Sequence, residues 1–443
     1  VGEGEQQDQH DIVQGSETPL LEGSSSEWSS DLDEDTIIAN MNKSKTFVMH
    51  VGPHKTASSS LQDLFMLNGA LKDALIRDNY KVPIFHHGEF GNQNDGKNHA
   101  VLAHCFLSDS RNVFCPPDIR TEVLDEFRST VHNAASHGSN ILLSSEAFDF
   151  ENLNTTEMTS FLRPYNYNIH VVVFYRRFYD WVYSIYNQQS KVRAKAGQSF
   201  KTFPLWLDKK MEVARSKYTA ALRDRFKDVP GVFKVSVVNM HQGAATKSNS
   251  AASFFCEHVD GASYTCDIAN SVEIANEDLS EDLDWLSLRA KIPSYHSINL
   301  SSEDDRWKKV EEKYHNIENP PRRCLDDEWR KSLLDFSIKS EMALTPRRWY
   351  KSRKGLEDLN ADYEDKVNTK LCSIDISAML QSSEWQEFLT ELEMSHEEEH
   401  RDVGEGEQQD QDVAGSINDS DEDDKIFVMH VGPHKIFSPG DLI

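Results

Sequence analysis

One short stretch constrains the fold more than any other: an apolar segment, a tight turn, and then a lysine and hydroxyl residues that open a helical pattern. It runs from Thr46 to Gln62 and reads TFVMHVGPHKTASSSLQ. The apolar segment is typical of a buried strand, and Leu61, Leu64 and Phe65 repeat at the spacing of a helix packed on a sheet. A strand that leads through a turn into a helix predicts a unit of parallel α/β structure.

The rest of the chain predicts about five parallel strands joined by helices. The strands are expected at residues 46–51, 79–85, 140–145, 168–175 and 232–239. The helices are expected at residues 60–67, 118–136, 155–163, 178–190 and 204–226. Such an alternation predicts a three-layer α/β domain around a central parallel sheet. Beyond about residue 270, apolar stripes at helical spacing predict a helical part that closes over the sheet.

Composition divides the chain into four segments. They are a disordered acidic tail at 1–44, an α/β core at 45–270, a helical extension completing the domain at 271–396, and a disordered linker with a truncated repeat at 397–443. The two end segments are expected to be disordered because they are acidic and poor in apolar residues. Within the last segment, residues 426–435 copy residues 46–55 with one change. We interpret this copy as a truncated repeat and not as a second site.

The turn after the first strand is suited to binding a phosphate group. The first turn of a helix presents unpaired N–H groups and the positive end of its dipole, and Lys55 adds a positive charge. The loop is not a Walker A motif, because no glycine directly precedes Lys55. The alternative is an ordinary strand-turn-helix unit in which Thr56 or Ser58 caps the helix.

A second motif follows the apolar segment Asn168–Tyr175. Arg176 and Arg177 come directly after this segment, and Ser184 lies eight residues beyond Arg176 in a helical pattern. An arginine and a hydroxyl can together bind a phosphate dianion at the carboxyl edge of a parallel sheet. The alternative is that both arginines are surface charges and that Ser184 is an ordinary helix residue.

Together the two motifs resemble those of sulfotransferases that use 3′-phosphoadenosine 5′-phosphosulfate (PAPS). The first is similar to the phosphosulfate loop G-P-H-K-T-x-[ST]-[ST]-S-L-Q of microbial, algal or carbohydrate-type members. It departs from the usual family residues at Ala57, Ser58 and Ser59. The resemblance implies a P-loop NTPase-like fold, PAPS as cofactor, no metal, and sulfuryl transfer to a hydroxyl or amine of a small molecule or glycan.

The resemblance also implies the roles of individual residues. The cofactor-binding residues are Gly52, Pro53, His54, Lys55, Thr56, Ala57, Ser58, Ser59, Arg176 and Ser184. In this assignment Lys55 is catalytic because it neutralises the leaving 5′-phosphate, whereas Arg176 and Ser184 hold the 3′-phosphate. Two other classes stay open: a P-loop kinase-like phosphotransferase, and a non-catalytic nucleotide-binding or scaffold protein derived from the fold.

Glu146 is the first candidate for the catalytic base. It follows the apolar segment 140–144, so it is expected at the same carboxyl edge as Lys55 and Arg176. A carboxylate there can accept the proton of an acceptor hydroxyl or amine. The alternative is a solvated acid that caps the next helix. His54, His50 and His99 are weaker candidates for the base.

Charge and cysteine content limit the partners and the compartment. A formal net charge of −27 argues against binding to nucleic acid. The chain has no run of about twenty apolar residues, so no transmembrane helix is expected. Of the six cysteines, Cys105 with Cys115 and Cys256 with Cys266 are each ten residues apart, which suits local disulfides. The remaining two, at 324 and 372, either pair or stay free. This pattern slightly favours the Golgi lumen or secretory pathway over the cytoplasm, and the sequence leaves open whether an upstream signal or anchor is missing.

Overall fold

Five parallel strands form the centre of the fold. The structure is a computed structural model that describes residues 32–54, 56, 61–62, 64, 68–85, 99–108, 114–196, 198, 200–241, 249–272, 283–295, 306–344 and 354–401. The strands are β1 (Lys45–Val51), β2 (Tyr80–Lys81), β3 (Asn140–Ser145), β4 (Tyr167–Tyr175) and β5 (Val232–Asn239). Their order is β2–β3–β1–β4–β5, and every neighbouring pair is parallel. The expected parallel α/β sheet is therefore confirmed.

Helices cover both faces of this sheet, and helices later in the chain form a further part of the fold. In chain order they are α1 (Glu34–Asn42), α2 (Gly69–Arg77), α3 (His99–Cys105), α4 (Pro117–Ser136), α5 (Thr155–Leu162), α6 (Phe178–Lys195), α7 (Phe203–Ser216), α8 (Thr219–Lys227), α9 (Ser250–His258), α10 (Ser263–Ser271), α11 (Leu283–Tyr295), α12 (Arg306–His315), α13 (Asp327–Leu344), α14 (Lys354–Thr369), α15 (Ile376–Leu380) and α16 (Ser383–Arg401). Short 3₁₀ turns occupy Glu146–Asp149 and Arg163–Tyr165. Of the expected helix at 60–67, only Leu61, Gln62 and Leu64 lie within the described residues.

Both faces of the sheet are buried, which makes the domain three-layered. In β1, Phe47 and Met49 pack into one core with α4 and α5, whereas Val48 packs into another core with α2 and α9. Successive residues of a strand point to opposite faces, so an apolar run with no polar alternation is what a sheet covered on both sides requires.

The expected helix at 204–226 is wrong in one respect, because the chain forms two helices there. Tyr218 is extended, with φ −79° and ψ 162°, and separates α7 from α8. Its buried ring directs the hydroxyl to the carbonyl of Arg176 at 2.5 Å. The next hydroxyl, Thr219 Oγ1, donates to the carbonyl of Phe174 at 3.0 Å. Contacts with the end of β4 thus outweigh a helical pattern that runs through this point.

Both end segments that were expected to be disordered contain described helix. Residues 1–31 and 402–443 lie outside the described residues, but α1 and the last turns of α16 fall within the predicted tails. Helix α1 is fixed at its start by Asp33, which accepts from the Thr36 N–H at 2.8 Å. At its end, the buried ammonium of Lys45 donates to the carbonyls of Asn40, Met41 and Lys43. These bonds satisfy carbonyls that a helix end leaves without partners.

The described residues after 282 are mostly helical, in line with the helical part expected beyond about residue 270. The stripe of Trp307, Val310 and Tyr314 in α12 is buried with Trp385 and Leu389 of α16. A two-stranded antiparallel ribbon, β6 (Arg322–Cys324) with β7 (Cys372–Ile374), joins this part.

All six cysteines are paired. Cys105 bonds to Cys115 and Cys256 bonds to Cys266, as the spacing predicted. Cys324 bonds to Cys372 and links β6 to β7, which resolves the pair that the sequence left open. Within the described ranges, no helix has the length and apolar character needed to cross a lipid bilayer.

Candidate functional site

The segments that follow β1, β3 and β4 carry the candidate site residues, and all three leave the sheet at the same edge. In the register, Val51 at the end of β1 lies opposite Ser145 of β3 on one side and Val173 of β4 on the other. The chain runs from β1 outward to β2, returns to β3, and then crosses to β4 on the far side of β1. Ligands of open α/β sheets bind where the order reverses in this way, outside the carboxyl ends of the strands.

The loop after β1 turns closely against the segment after β3. The Gly52–Pro53 peptide bond is cis, and Thr56 Oγ1 donates to the Pro53 carbonyl at 2.6 Å. A Cβ atom at Gly52 would lie 3.0 Å from the His54 nitrogen and 3.4 Å from Asp149 Oδ2. Close packing of the backbone therefore favours glycine at this position.

His54 joins this loop to two carboxylates. Its Nδ1 lies 3.5 Å from Glu146 Oε1, and its Nε2 lies 3.6 Å from Asp149 Oδ1. The His54 N–H also donates to Asp149 Oδ2 at 3.3 Å. Glu146 and Asp149 are the first and last residues of the 3₁₀ turn that follows β3. The structure thus brings together His54 and Glu146, two residues that the sequence analysis placed in one site.

The two carboxylates favour the charged imidazolium in this buried cluster. Burial alone lowers the pKa of His54, but Asp149 and then Glu146 outweigh it and raise the pKa to about 9. Burial raises the pKa of Asp149 above its ordinary value, although His54 opposes that shift. His54 is therefore protonated at neutral pH and compensates carboxylate charge that would otherwise repel an anion at this loop.

Two side chains from other helices hold these loops in place. The Arg225 guanidinium of α8 donates to the carbonyls of Phe148, Asp149 and Phe150, at 2.9 to 3.1 Å. The indole Nε1 of Trp181, in α6, donates to the His54 carbonyl at 2.6 Å. The turn after β3 and the loop after β1 are thus each fixed by a donor from outside the segment.

Arg176, the first residue after β4, pairs with a carboxylate of the following helix. Its Nε donates to Asp180 Oδ2 at 2.6 Å. Lys366 of α14 lies on the other oxygen, Asp180 Oδ1, at 3.3 Å. Burial would raise the pKa of Asp180, but Arg176 and then Lys366 outweigh it and lower the pKa to about 2. Ser184 lies one helical turn beyond Asp180, half-buried, and among the described contacts none joins it to Arg176.

Arg177, unlike Arg176, points into a buried polar cluster. Its Nη1 donates to Asp362 Oδ2 at 2.9 Å, and its Nε lies 3.7 Å from Glu341 Oε2. The Tyr179 hydroxyl donates to the same Asp362 oxygen, and the Tyr175 hydroxyl donates to Glu341. A guanidinium occupied in this way links β4 to the helical extension and has a structural role.

Two of the three weaker histidine candidates, His99 and His50, are buried and neutral. His99 Nδ1 accepts from the Ser144 N–H at 3.0 Å and its Nε2 donates to the Pro83 carbonyl at 2.7 Å, so both ring nitrogens are engaged. Burial lowers the pKa of His99 to about 4 and that of His50 to about 3. His50 Nδ1 contacts Ser144 Oγ at 2.7 Å inside the sheet. Neither histidine is placed to accept a proton from an external ligand.

The remaining predicted residues are Lys55, Ala57, Ser58 and Ser59, and they lie outside the described residues. The sequence analysis missed three participants: Asp149, Asp180 and Lys366. The signal for Asp180 was available, because it lies four residues after Arg176 on one helix face. Asp149 and Lys366 lie 95 and 186 residues from their partners, and no local pattern reveals such contacts.

Comparison of the chain with protein-family models, with curated proteins and with solved structures found no match in any of the three.

Proposed function

We propose that this chain is a sulfotransferase that transfers a sulfuryl group from PAPS to a hydroxyl or amine of a small-molecule or glycan acceptor. The proposal rests on one observation: the glycine-containing loop after β1 contacts the turn that carries Glu146, through His54 at 3.5 Å. A phosphate-binding loop and a carboxylate that can accept a proton are the two elements that this reaction needs side by side.

The arrangement of the sheet supports the same proposal. The loop follows the central strand β1, at the point where the strand order reverses. This arrangement is compatible with a P-loop-like layout, in which a loop between a strand and a helix N-terminus holds the phosphate. Arg176 follows β4, the neighbour of β1 on the side away from Glu146. The candidate residues thus lie on both sides of the loop.

The residues present are suited to a nucleotide with two phosphate groups. Gly52 has no Cβ where one would press on the loop backbone, which lets the chain turn tightly after β1. Arg176 presents a partly exposed guanidinium on the other side of the loop. His54 offsets the negative charge of Glu146 and Asp149, so the edge is not uniformly anionic.

PAPS would supply the sulfuryl group and a phosphate leaving group. In this proposal Lys55, backbone N–H groups of the loop and the hydroxyls of Ser58 and Ser59 hold the 5′-phosphate, and Lys55 offsets the negative charge that grows on it. The expected role of the Thr56 hydroxyl as a phosphate ligand is corrected, because this buried hydroxyl donates to the Pro53 carbonyl. Arg176 holds the 3′-phosphate through its guanidinium. Glu146 takes the proton that the acceptor oxygen or nitrogen loses as its bond to sulfur forms.

Calorimetric titration separates this function from the alternatives. Adenosine 3′,5′-bisphosphate, the nucleotide product, should bind without Mg²⁺ and more tightly than ATP. A kinase-like phosphotransferase would instead prefer ATP in the presence of Mg²⁺. A panel of glycan, phenol, steroid and peptide acceptors with sulfur-labelled PAPS then tests turnover, which a non-catalytic nucleotide-binding protein would lack.

Replacement of the loop lysine tests the chemistry directly. Lys55→Ala should lower turnover by roughly 100-fold to 1000-fold, the usual effect of losing one preorganised donor, and should weaken bisphosphate binding much less. Near wild-type turnover in this variant would remove the phosphosulfate-loop assignment.

A further inference from the structure

A histidine that follows β5 is bound to the first peptide group after β4. The N–H of Arg177, in the peptide bond that follows Arg176, donates to His241 Nε2 at 2.8 Å. His241 comes two residues after Asn239, the last residue of β5, and Asn239 lies opposite Tyr175 in the register. The imidazole therefore lies at the carboxyl edge of the sheet, beside the backbone of Arg176.

This hydrogen bond determines the tautomer of His241. A ring nitrogen that accepts from an N–H carries no proton, so Nε2 is the unprotonated nitrogen. Burial and then the charge of Arg177 lower the pKa of His241 to about 4, against the opposing effects of Asp180 and Asp362. The ring is therefore uncharged at neutral pH and carries its proton on Nδ1. His241 is thus a neutral Nδ1–H donor.

The ring is held in one orientation. Besides the bond at Nε2, the His241 N–H donates to Asn239 Oδ1 at 3.0 Å, and the imidazole lies edge-on to the Tyr175 ring with centroids 6.3 Å apart. His241 is half-buried, and among the contacts that the structure describes none involves Nδ1. The Nδ1–H group is therefore a preorganised donor that a ligand at this edge can use.

A neutral donor matters here because the formal charges around it balance. Three cations face three carboxylates, namely Arg176, Arg177 and Lys366 with Asp180, Asp362 and Glu341. A phosphate at this edge therefore has to be recognised by directed hydrogen bonds and not by surplus charge. An N–H that donates to a charged phosphate oxygen makes a stronger bond than one between two neutral groups.

We infer that His241 is a further residue of the nucleotide site, whose Nδ1–H donates to an oxygen of the 3′-phosphate that Arg176 is proposed to hold. Asn239 is a positioning residue, because it fixes the backbone of His241. This inference rests on the proposed function and adds β5 to the strands that carry the nucleotide site.

Two replacements separate the donor from the structural contact. His241→Gln keeps an oxygen near the position of Nε2, which can accept from the Arg177 N–H, but it lacks the donor at Nδ1. In calorimetric titrations this variant should bind adenosine 3′,5′-bisphosphate about tenfold more weakly, and adenosine 5′-monophosphate within about twofold of wild type. His241→Asn keeps a donor near the position of Nδ1 and leaves the Arg177 N–H without its acceptor. It should bind the bisphosphate more tightly than His241→Gln does, but should melt at a lower temperature.

His170→Gln is the matched control. His170 also joins β4 to β5, through a contact of 2.8 Å between its Nε2 and Ser236 Oγ, but it lies near the start of β4 and away from the carboxyl edge. Its replacement should leave the ratio of the two nucleotide affinities unchanged.

A second measurement uses the unaltered protein and does not depend on the folding of a variant. Imidazole nitrogen NMR spectra should show His241 as the Nδ1–H tautomer, and its signal is identified by its loss in His241→Gln. The bisphosphate should shift the Nδ1 proton downfield, whereas the monophosphate should leave it in place.

The two measurements distinguish failure of this inference from failure of the function. Wild-type protein that prefers the bisphosphate, with a His241→Gln variant that behaves like His170→Gln and an Nδ1 proton that does not respond, would overturn the inference alone. Equal losses for both nucleotides in His241→Gln would overturn it too, because the donor would then contact a group that both nucleotides share. Wild-type protein that binds the two nucleotides equally would overturn the proposed function, and the inference with it.

Discussion

Trp181 donates its indole N–H to the carbonyl oxygen of His54 at 2.6 Å. This bond joins the helix after β4 to the loop after β1. The two segments that a nucleotide would touch are thereby fixed to each other by a protein contact, before any ligand binds. Preorganisation of this kind lowers the entropy that binding must overcome.

Replacing this tryptophan tests the contact. Trp181→Phe keeps a ring in the buried position but leaves the His54 carbonyl without its donor, which should cost about 1–3 kcal/mol of unfolding free energy. Trp206→Phe is the matched control, because the Trp206 indole donates to the half-buried Gln189 side chain, which water can satisfy instead. Chemical denaturation of both variants measures the difference. Equal losses would mean that the bond to His54 contributes nothing particular.

Arg225 supports the turn that carries Glu146. Its three hydrogen bonds reach consecutive carbonyls from Phe148 to Phe150. Arg225→Met should lower the unfolding free energy by about 2–3 kcal/mol and should reduce turnover while bisphosphate affinity stays near wild type. Arg223→Met, on the same helix, loses one bond to the Ala343 carbonyl and an ion pair with the exposed Asp224, and it should affect stability much less. Turnover equal in the two variants would contradict a positioning role for Arg225.

How much of the fold and of the site the sequence predicts depends on how far apart along the chain the contacting residues lie. Strands β1, β3, β4 and β5 match the expected bounds within one residue. Strands β1, β3 and β4 are largely apolar and buried on both faces, whereas β5 lies at the edge of the sheet and is buried only in part. Strand β2 has two residues instead of seven, since only Tyr80 and Lys81 pair with β3. The Pro83 carbonyl instead forms a hydrogen bond with His99 Nε2, and no local sequence pattern predicts this contact.

The site residues likewise divide into those that the sequence predicted and those that it did not. The position of Glu146 followed from its place at the end of a strand, because parallel strands end at a common edge. The sequence did not predict the partners of His54 and Arg176. Asp149 ends a buried 3₁₀ turn 95 residues after His54, and Lys366 belongs to a helix 186 residues after Asp180, so both pairs are tertiary contacts.

His54 gives stability a specific pH dependence. Its pKa is about 9 in the folded protein, above the ordinary value of 6.5, so between these values the folded state binds more protons than the unfolded state. Its contribution is fully present below pH 6.5 and is lost as the pH rises to about 9. The melting temperature should fall across this window. His54→Gln should show a flatter profile there, and a parallel decline in both proteins would contradict the assignment.

The last prediction identifies the base among two neighbouring carboxylates. Glu146→Gln should lower turnover by roughly 100-fold or more, because the amide keeps the shape but cannot accept a proton, and bisphosphate affinity should stay intact. Asp149→Asn should affect turnover less. Each substitution removes one of the two carboxylates that raise the pKa of His54, so the alkaline loss of stability should end below pH 9 in both variants. Turnover that survives in Glu146→Gln and collapses in Asp149→Asn would make Asp149 the base.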